Sequence, residues 1–104
     1  MSNAELVEDV TKTITQLQRH GWVQLHFFTP DGRCCLAGAA NRAVTDGNRL
    51  SNLLDLLRAE IKSDKLATRL RTISEWNDAK GRTFADVIGL LKRARNRALS
   101  RTSA

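Results

Sequence analysis

The sequence predicts a mainly α (α+β) fold, a compact domain of four to five helices with one short β-hairpin after the first. Three observations carry that expectation. Apolar residues recur at helical spacing in successive segments. One run, Trp22-Val-Gln-Leu-His-Phe-Phe28, is rich in β-formers and leads into turn residues. The chain has 104 residues, 41% hydrophobic and 27% charged, which suits one globular core and excludes a disordered chain.

The first helix is expected from about Ala4 to Arg19, where Leu6, Val7, Val10, Ile14 and Leu17 form one stripe. Ser2 and Glu5 fit a capping box, and Gly21 stands where a left-handed C-terminal residue belongs. Next, Val23, Leu25 and Phe27 alternate with Trp22, Gln24, His26 and Phe28, as in a strand covered on one face and partly on the other. Thr29-Pro-Asp-Gly32 supplies a turn, because proline presets φ and glycine accepts a positive one. Arg33-Cys-Cys-Leu36 is then the returning strand.

Leu36 to Val44 reads as a short helix whose Gly38, Ala39 and Ala40 permit close approach. Asp46-Gly-Asn48 breaks it, and Asn48 caps a helix from Arg49 to about Lys62 with Leu50, Leu53, Leu54, Leu57 and Ile61 on one face. Ser63 or Asp64 caps another, with Leu66, Leu70 and Ile73 inward, ending near Trp76. The last helix starts after Thr83, with Asp86 three positions on as its capping partner and Phe84, Val87, Ile88, Leu91 and Ala94 as its inner stripe. A single domain over 1–99 and a frayed basic tail over 100–104 complete the expectation.

The net charge is +6 and is unevenly spread. From residue 80 onward, Lys80, Arg82, Lys92, Arg93, Arg95, Arg97 and Arg101 face one acid, Asp86. No apolar run approaches the ~18 residues of a membrane span, so no membrane insertion is expected. The opening Met-Ser-Asn-Ala-Glu lacks a basic region followed by an apolar one, and a cytoplasmic location is expected.

Three pieces together resemble a family of small uncharacterised proteins of actinobacteria and their phages. They are Gly21-Trp22 after the first helix, the Cys35-Leu-Ala-Gly-Ala39 segment, and Trp76-Asn-Asp78 with Arg82-Thr83 before the final helix. The resemblance implies a shared fold and an actinobacterial or phage origin. It implies no activity or cofactor and transfers no catalytic residue. Cys34 and the strongly basic end depart from that family's pattern.

Trp76, Asn77, Asp78, Arg82 and Thr83 admit two readings. In one they form a recognition surface with Asp78 posing Arg82. In the other they are structural: Trp76 plugs the core, Asn77 and Asp78 bond turn backbone, Gly81 takes positive φ, and Thr83 caps a helix. Trp22 belongs with the structural set. The structural reading is preferred, because every residue has an ordinary local task.

Cys34, Cys35, His20 and His26 are ligand types for zinc, but adjacent cysteines on a strand point to opposite faces, so no metal site is expected. Cys35 with His26 is the sole catalytic pair that can be assembled, and it has no evident orienting third residue. Packed thiols, no catalytic residue and no cofactor are the expectation. The basic end, Lys92, Arg93, Arg95, Arg97 and Arg101, is the best contact candidate. The chain is thus expected to be a small non-enzymatic binding or regulatory protein acting on a protein partner with an acidic surface. The alternative is a nucleic-acid-binding protein using the basic C-terminal helix.

Overall fold

The computed structural model describes residues 3–63 and 66–102, without the side chains of Arg101 and Thr102. Five helices follow one another: α1 Asn3–His20, α2 Leu36–Ala43, α3 Gly47–Ile61, α4 Arg69–Asp78 and α5 Phe84–Thr102. α1 packs chiefly on α5 and α2, while α3 lies between α4 and α5 and also touches α1 and α2.

Helical periodicity explains the core. Leu6, Val10, Ile14 and Leu17 of α1 are buried together with Val87, Leu91 and Ala94 of α5. α5 and α3, with partners on more than one side, bury residues beyond the single stripe expected. α5 adds Leu90 and Ala98, and the centrally placed α3 adds Leu56 to Leu53, Leu54 and Leu57. Gly21 ends α1 at φ 92°, and its N–H donates to the Leu17 carbonyl at 2.9 Å.

Charge also joins helices. The side chain of Asp9 is buried on α1, and Arg49 on α3 grips it in fork fashion, Nε to Oδ2 at 3.0 Å and Nη2 to Oδ1 at 2.6 Å. Glu5 stands 3.2 Å from the same guanidinium. The Asp9 hydrogen bond raises the pKa of Arg49 further.

The expected β-hairpin is absent: among the described residues there is no strand and no sheet. Residues 22–35 form a loop in which Cys34 makes isolated bridges to both Trp22 and Phe28. Leu25 is the cause. Its φ of 72° breaks the extended run in the middle. The Thr29–Gly32 turn does form, with the Gly32 N–H donating to the Thr29 carbonyl at 2.9 Å and Gly32 at φ 94°. It joins irregular chain instead of strands.

Three further expectations shift. α3 is capped by Asp46, whose carboxylate accepts from the Arg49 N–H at 3.0 Å, and Asn48 lies inside its first turn. α4 is capped by Thr68, whose hydroxyl accepts from the Arg71 N–H at 3.2 Å, so Ser63 starts no helix; Asp64 and the Ser2 cap lie outside the described residues. With α4 beginning later, Ile73 points inward, but Leu66 is fully exposed and Leu70 is 42% exposed. The cap of α5 is reciprocal as expected: Thr83 N–H donates to Asp86 Oδ2 at 2.9 Å and Asp86 N–H to Thr83 Oγ1 at 3.1 Å.

α2 carries the closest approach. A Cβ on Gly38 would lie 2.4 Å from the Phe27 carbonyl oxygen, which is backbone and cannot yield. A helical glycine replaced by alanine ordinarily gains up to about 1 kcal/mol. Gly38→Ala is expected instead to destabilise by about 1–3 kcal/mol in urea unfolding. A gain would show that the 22–28 loop does not rest on α2.

The Thr83 backbone N–H, and then its hydroxyl, hold the Asp86 carboxyl below the usual carboxylate range. A lowered folded pKa stabilises fully above about pH 5 and is lost as pH falls below about 4. Asp86→Ala is therefore expected to melt lower than the parent at neutral pH. The gap should close under strong acid; one that is constant with pH would refute the cap's ionic character.

Candidate functional site

α4 ends in a polar cluster that organises the 22–28 loop, and Asn77 is its centre. The residue is fully buried. Its Oδ1 accepts from Trp22 Nε1 at 2.7 Å and from the Leu36 N–H at 3.0 Å. Its Nδ2 donates to the Val23 carbonyl at 3.2 Å and to Asp78 Oδ1 at 3.0 Å. One amide thus joins the loop, the first residue of α2 and the end of α4.

Two neighbours extend the hold. Gln24 Nε2 donates to the Asn77 and Ala79 carbonyls, each at 3.0 Å. Asp78 Oδ1 accepts the Leu25 N–H at 2.8 Å, which fixes that residue in its left-handed conformation. Asn77 and Asp78 thus supply backbone partners to Val23 and Leu25 that a neighbouring strand would have supplied, and Gln24 returns bonds to the end of α4. The Trp22 ring stacks on Phe84 with centroids 6.4 Å apart and 14° between planes.

The turn after α4 is organised separately. Asp78 does not pose Arg82: Arg82 Nε donates to the Trp76 carbonyl at 2.8 Å, and its guanidinium lies 4.0 Å over the Trp76 ring. Trp76 is half-buried at the edge of the core, and Gly81 takes φ 83°.

The consequence of the polar cluster is an apolar surface. Leu25 is 74% exposed, Phe27 49% and Phe28 47%, and Leu70 of α4 joins them. Phe27, Phe28, Gly38, Asn41 and Leu70 line a groove of about 380 Å³. A smaller depression of about 160 Å³ shares Phe27 and is lined also by Leu25, His26, Ser74 and Asp78. Arg42 borders the groove, its guanidinium 4.6 Å over the Phe28 ring and its Nη1 donating to the Gly32 carbonyl at 3.2 Å.

Sequence reasoning assigned Leu25, Phe27 and Phe28 to a hairpin and Leu70 to an inward stripe, so it missed this surface. The available signal was a concentration of large apolar residues in a segment bounded by Gly21 and the Thr29–Gly32 turn, larger than one hairpin face needs.

The described side chains of the basic end do not gather into one patch. Glu60 of α3, with a side chain only 9% exposed, receives both Arg93 Nε at 3.4 Å and Arg97 Nε at 2.9 Å. Arg95 turns to α1, where its Nη1 donates to Thr11 Oγ1 at 3.3 Å. Lys92 is exposed on α5, and Arg101 lies in the last turn of that helix.

The paired thiols are buried and free. Cys35 caps α2, its Sγ accepting the Gly38 N–H at 3.3 Å. Burial pushes both thiols above their ordinary pKa, which opposes the thiolate that a nucleophile or metal ligand must present. His26 and His20 are both exposed. No helix of the described residues is long and apolar enough to cross a membrane.

A helical scaffold with a polar tie and a displayed apolar loop is the class this geometry defines. The chain belongs to a family of unknown function (DUF6197), whose model matches residues 1–97. No curated protein and no solved structure matches the chain.

Asn77→Ala strands the Trp22 indole N–H, the Leu36 N–H and the Val23 carbonyl together. Each unpaired buried group costs about 1–3 kcal/mol, so a loss of at least about 3 kcal/mol is expected in denaturant unfolding. Loss below about 1 kcal/mol would show that the loop is held by other means.

Proposed function

We propose that the chain is a small non-enzymatic binding protein that acts by protein–protein contact through the apolar surface of the 22–28 loop and α4. The observation that carries this reading is Leu25. A leucine at φ 72° and 74% exposed is unfavourable twice, in backbone and in hydration. The left-handed conformation alone costs about 1–2 kcal/mol. The fold maintains it with the Asp78 carboxylate. Strain maintained beside exposed Phe27 and Phe28 is what a contact surface requires.

The setting proposed is the cytoplasm of an actinobacterium or of the host of its phage. The alternative of nucleic acid on α5 draws on charge alone, and Glu60 already engages Arg93 and Arg97.

The test is photo-cross-linking in cells, with benzoylphenylalanine placed at position 70 or, as control, at position 92. Discrete protein adducts are expected from position 70, reduced at least about tenfold by Phe27→Ser, the loss typical of removing an interface anchor. Circular dichroism of the Phe27→Ser protein confirms that the helices persist. No protein adduct from position 70, or nucleic-acid adducts from position 92, would overturn the reading.

A further inference from the structure

Resting on that reading, we infer that the groove between Phe27, Phe28 and Leu70 takes a short acidic and apolar segment of the partner protein. A leucine or aromatic side chain enters the groove, and an adjacent aspartate or glutamate meets Arg42.

The size of the surface selects a segment. Four partly exposed side chains, each offering roughly 150–250 Å² when free, leave on the order of 400 Å² of apolar surface here. A stable dimer buries about 800 Å² on each partner, so a second copy of this chain is too large an occupant for this patch alone. A groove of about 380 Å³ matches one or two anchoring side chains from a helix or an extended peptide.

Charge selects the chemistry. Three other arginines near the loop and α4 are engaged by carboxylates: Arg33 by Asp31 at 3.1 Å, Arg71 by Glu75 at 3.0 Å and Arg69 by Asp55 at 3.1 Å. Arg82 is held over Trp76 in the turn after α4, and neither residue lines the groove. Arg42 has a backbone carbonyl and the Phe28 ring, with no carboxylate among the described residues. Stacking holds the guanidinium in place before any partner arrives, which lowers the ordering cost of binding. A fixed, half-buried guanidinium at the rim of an apolar groove is complementary to a carboxylate one residue or one helical turn from an apolar anchor.

The experiment selects a displayed library of short random peptides on the whole protein, with counter-selection on Leu70→Glu, a change at an exposed position. Recovered peptides are expected to carry a leucine or aromatic residue close to an aspartate or glutamate. Their affinity should fall at least about tenfold on Leu70→Glu and about fivefold or more on Arg42→Gln. Added salt should narrow the difference between the parent and Arg42→Gln.

Basic or uncharged consensus peptides, an affinity unmoved by Arg42→Gln, or no enrichment over Leu70→Glu would overturn the inference. So would a dimer that forms with rising protein concentration and is lost in Leu70→Glu, which would assign the surface to a second copy. These outcomes leave the cross-links from position 70 standing, whereas their absence removes the contact reading itself.

Discussion

The buried amide of Asn77 is the constraint on which the rest of the molecule depends. Its Oδ1 accepts hydrogen bonds from Trp22 and Leu36, 55 and 41 residues away in sequence. Inside a core, an amide so placed must find all its partners or cost several kcal/mol, so the three segments it joins are ordered together. The loop lies on α2 because Gly38 lets the Phe27 carbonyl approach. It stays irregular because Asn77 takes up the Val23 carbonyl and Asp78 the Leu25 N–H, while Gln24 caps the Asn77 and Ala79 carbonyls at the end of α4.

Part of the positive charge of the chain is used in packing. Arg49 ties α3 to α1 through the buried Asp9, and Glu60 ties α3 to two arginines of α5. Ion pairs of this kind add less to stability than to geometry, since desolvation offsets much of the attraction. They set which faces of α1, α3 and α5 meet. Three arginines near the C-terminal end thereby brace α5 in two directions, Arg93 and Arg97 toward α3 and Arg95 toward α1.

The same architecture explains the apolar display. A helical scaffold carries an irregular segment tied at the Val23 carbonyl, the Leu25 N–H and the Phe27 carbonyl, and the side chains of Leu25, Phe27 and Phe28 are left outward. Local preference and solvation both oppose that arrangement, and proteins tolerate such conflict where a surface has work to do. Arg42 adds a fixed charge to the edge of the groove, so that the surface is apolar with a positive rim.

The helices were legible in the sequence because each carries its own signal. Leu6, Val10, Ile14 and Leu17 recur at helical spacing, Gly21 stops α1, and Thr83 with Asp86 starts α5. Those features act within a few residues of themselves, and a local reading captures them. The 22–28 segment was not legible, because its β-forming composition reports a preference for extended, half-buried backbone and cannot say who supplies the hydrogen bonds. Here some partners come from Cys34 and Cys35, and the others from α4, more than 50 residues on, where Asp78 turns Leu25 to positive φ. The start of α4 was misplaced for a similar reason: Leu66 and Leu70 fit an inward stripe by spacing, and only the position of α3 and the loop leaves them outside. Sequence alone therefore determined the helices and several of their termini, the end of α1 and the starts of α2 and α5 among them. Tertiary structure decided which apolar residues form the core and which form a surface, because burial depends on what lies opposite a side chain and not on the residues beside it.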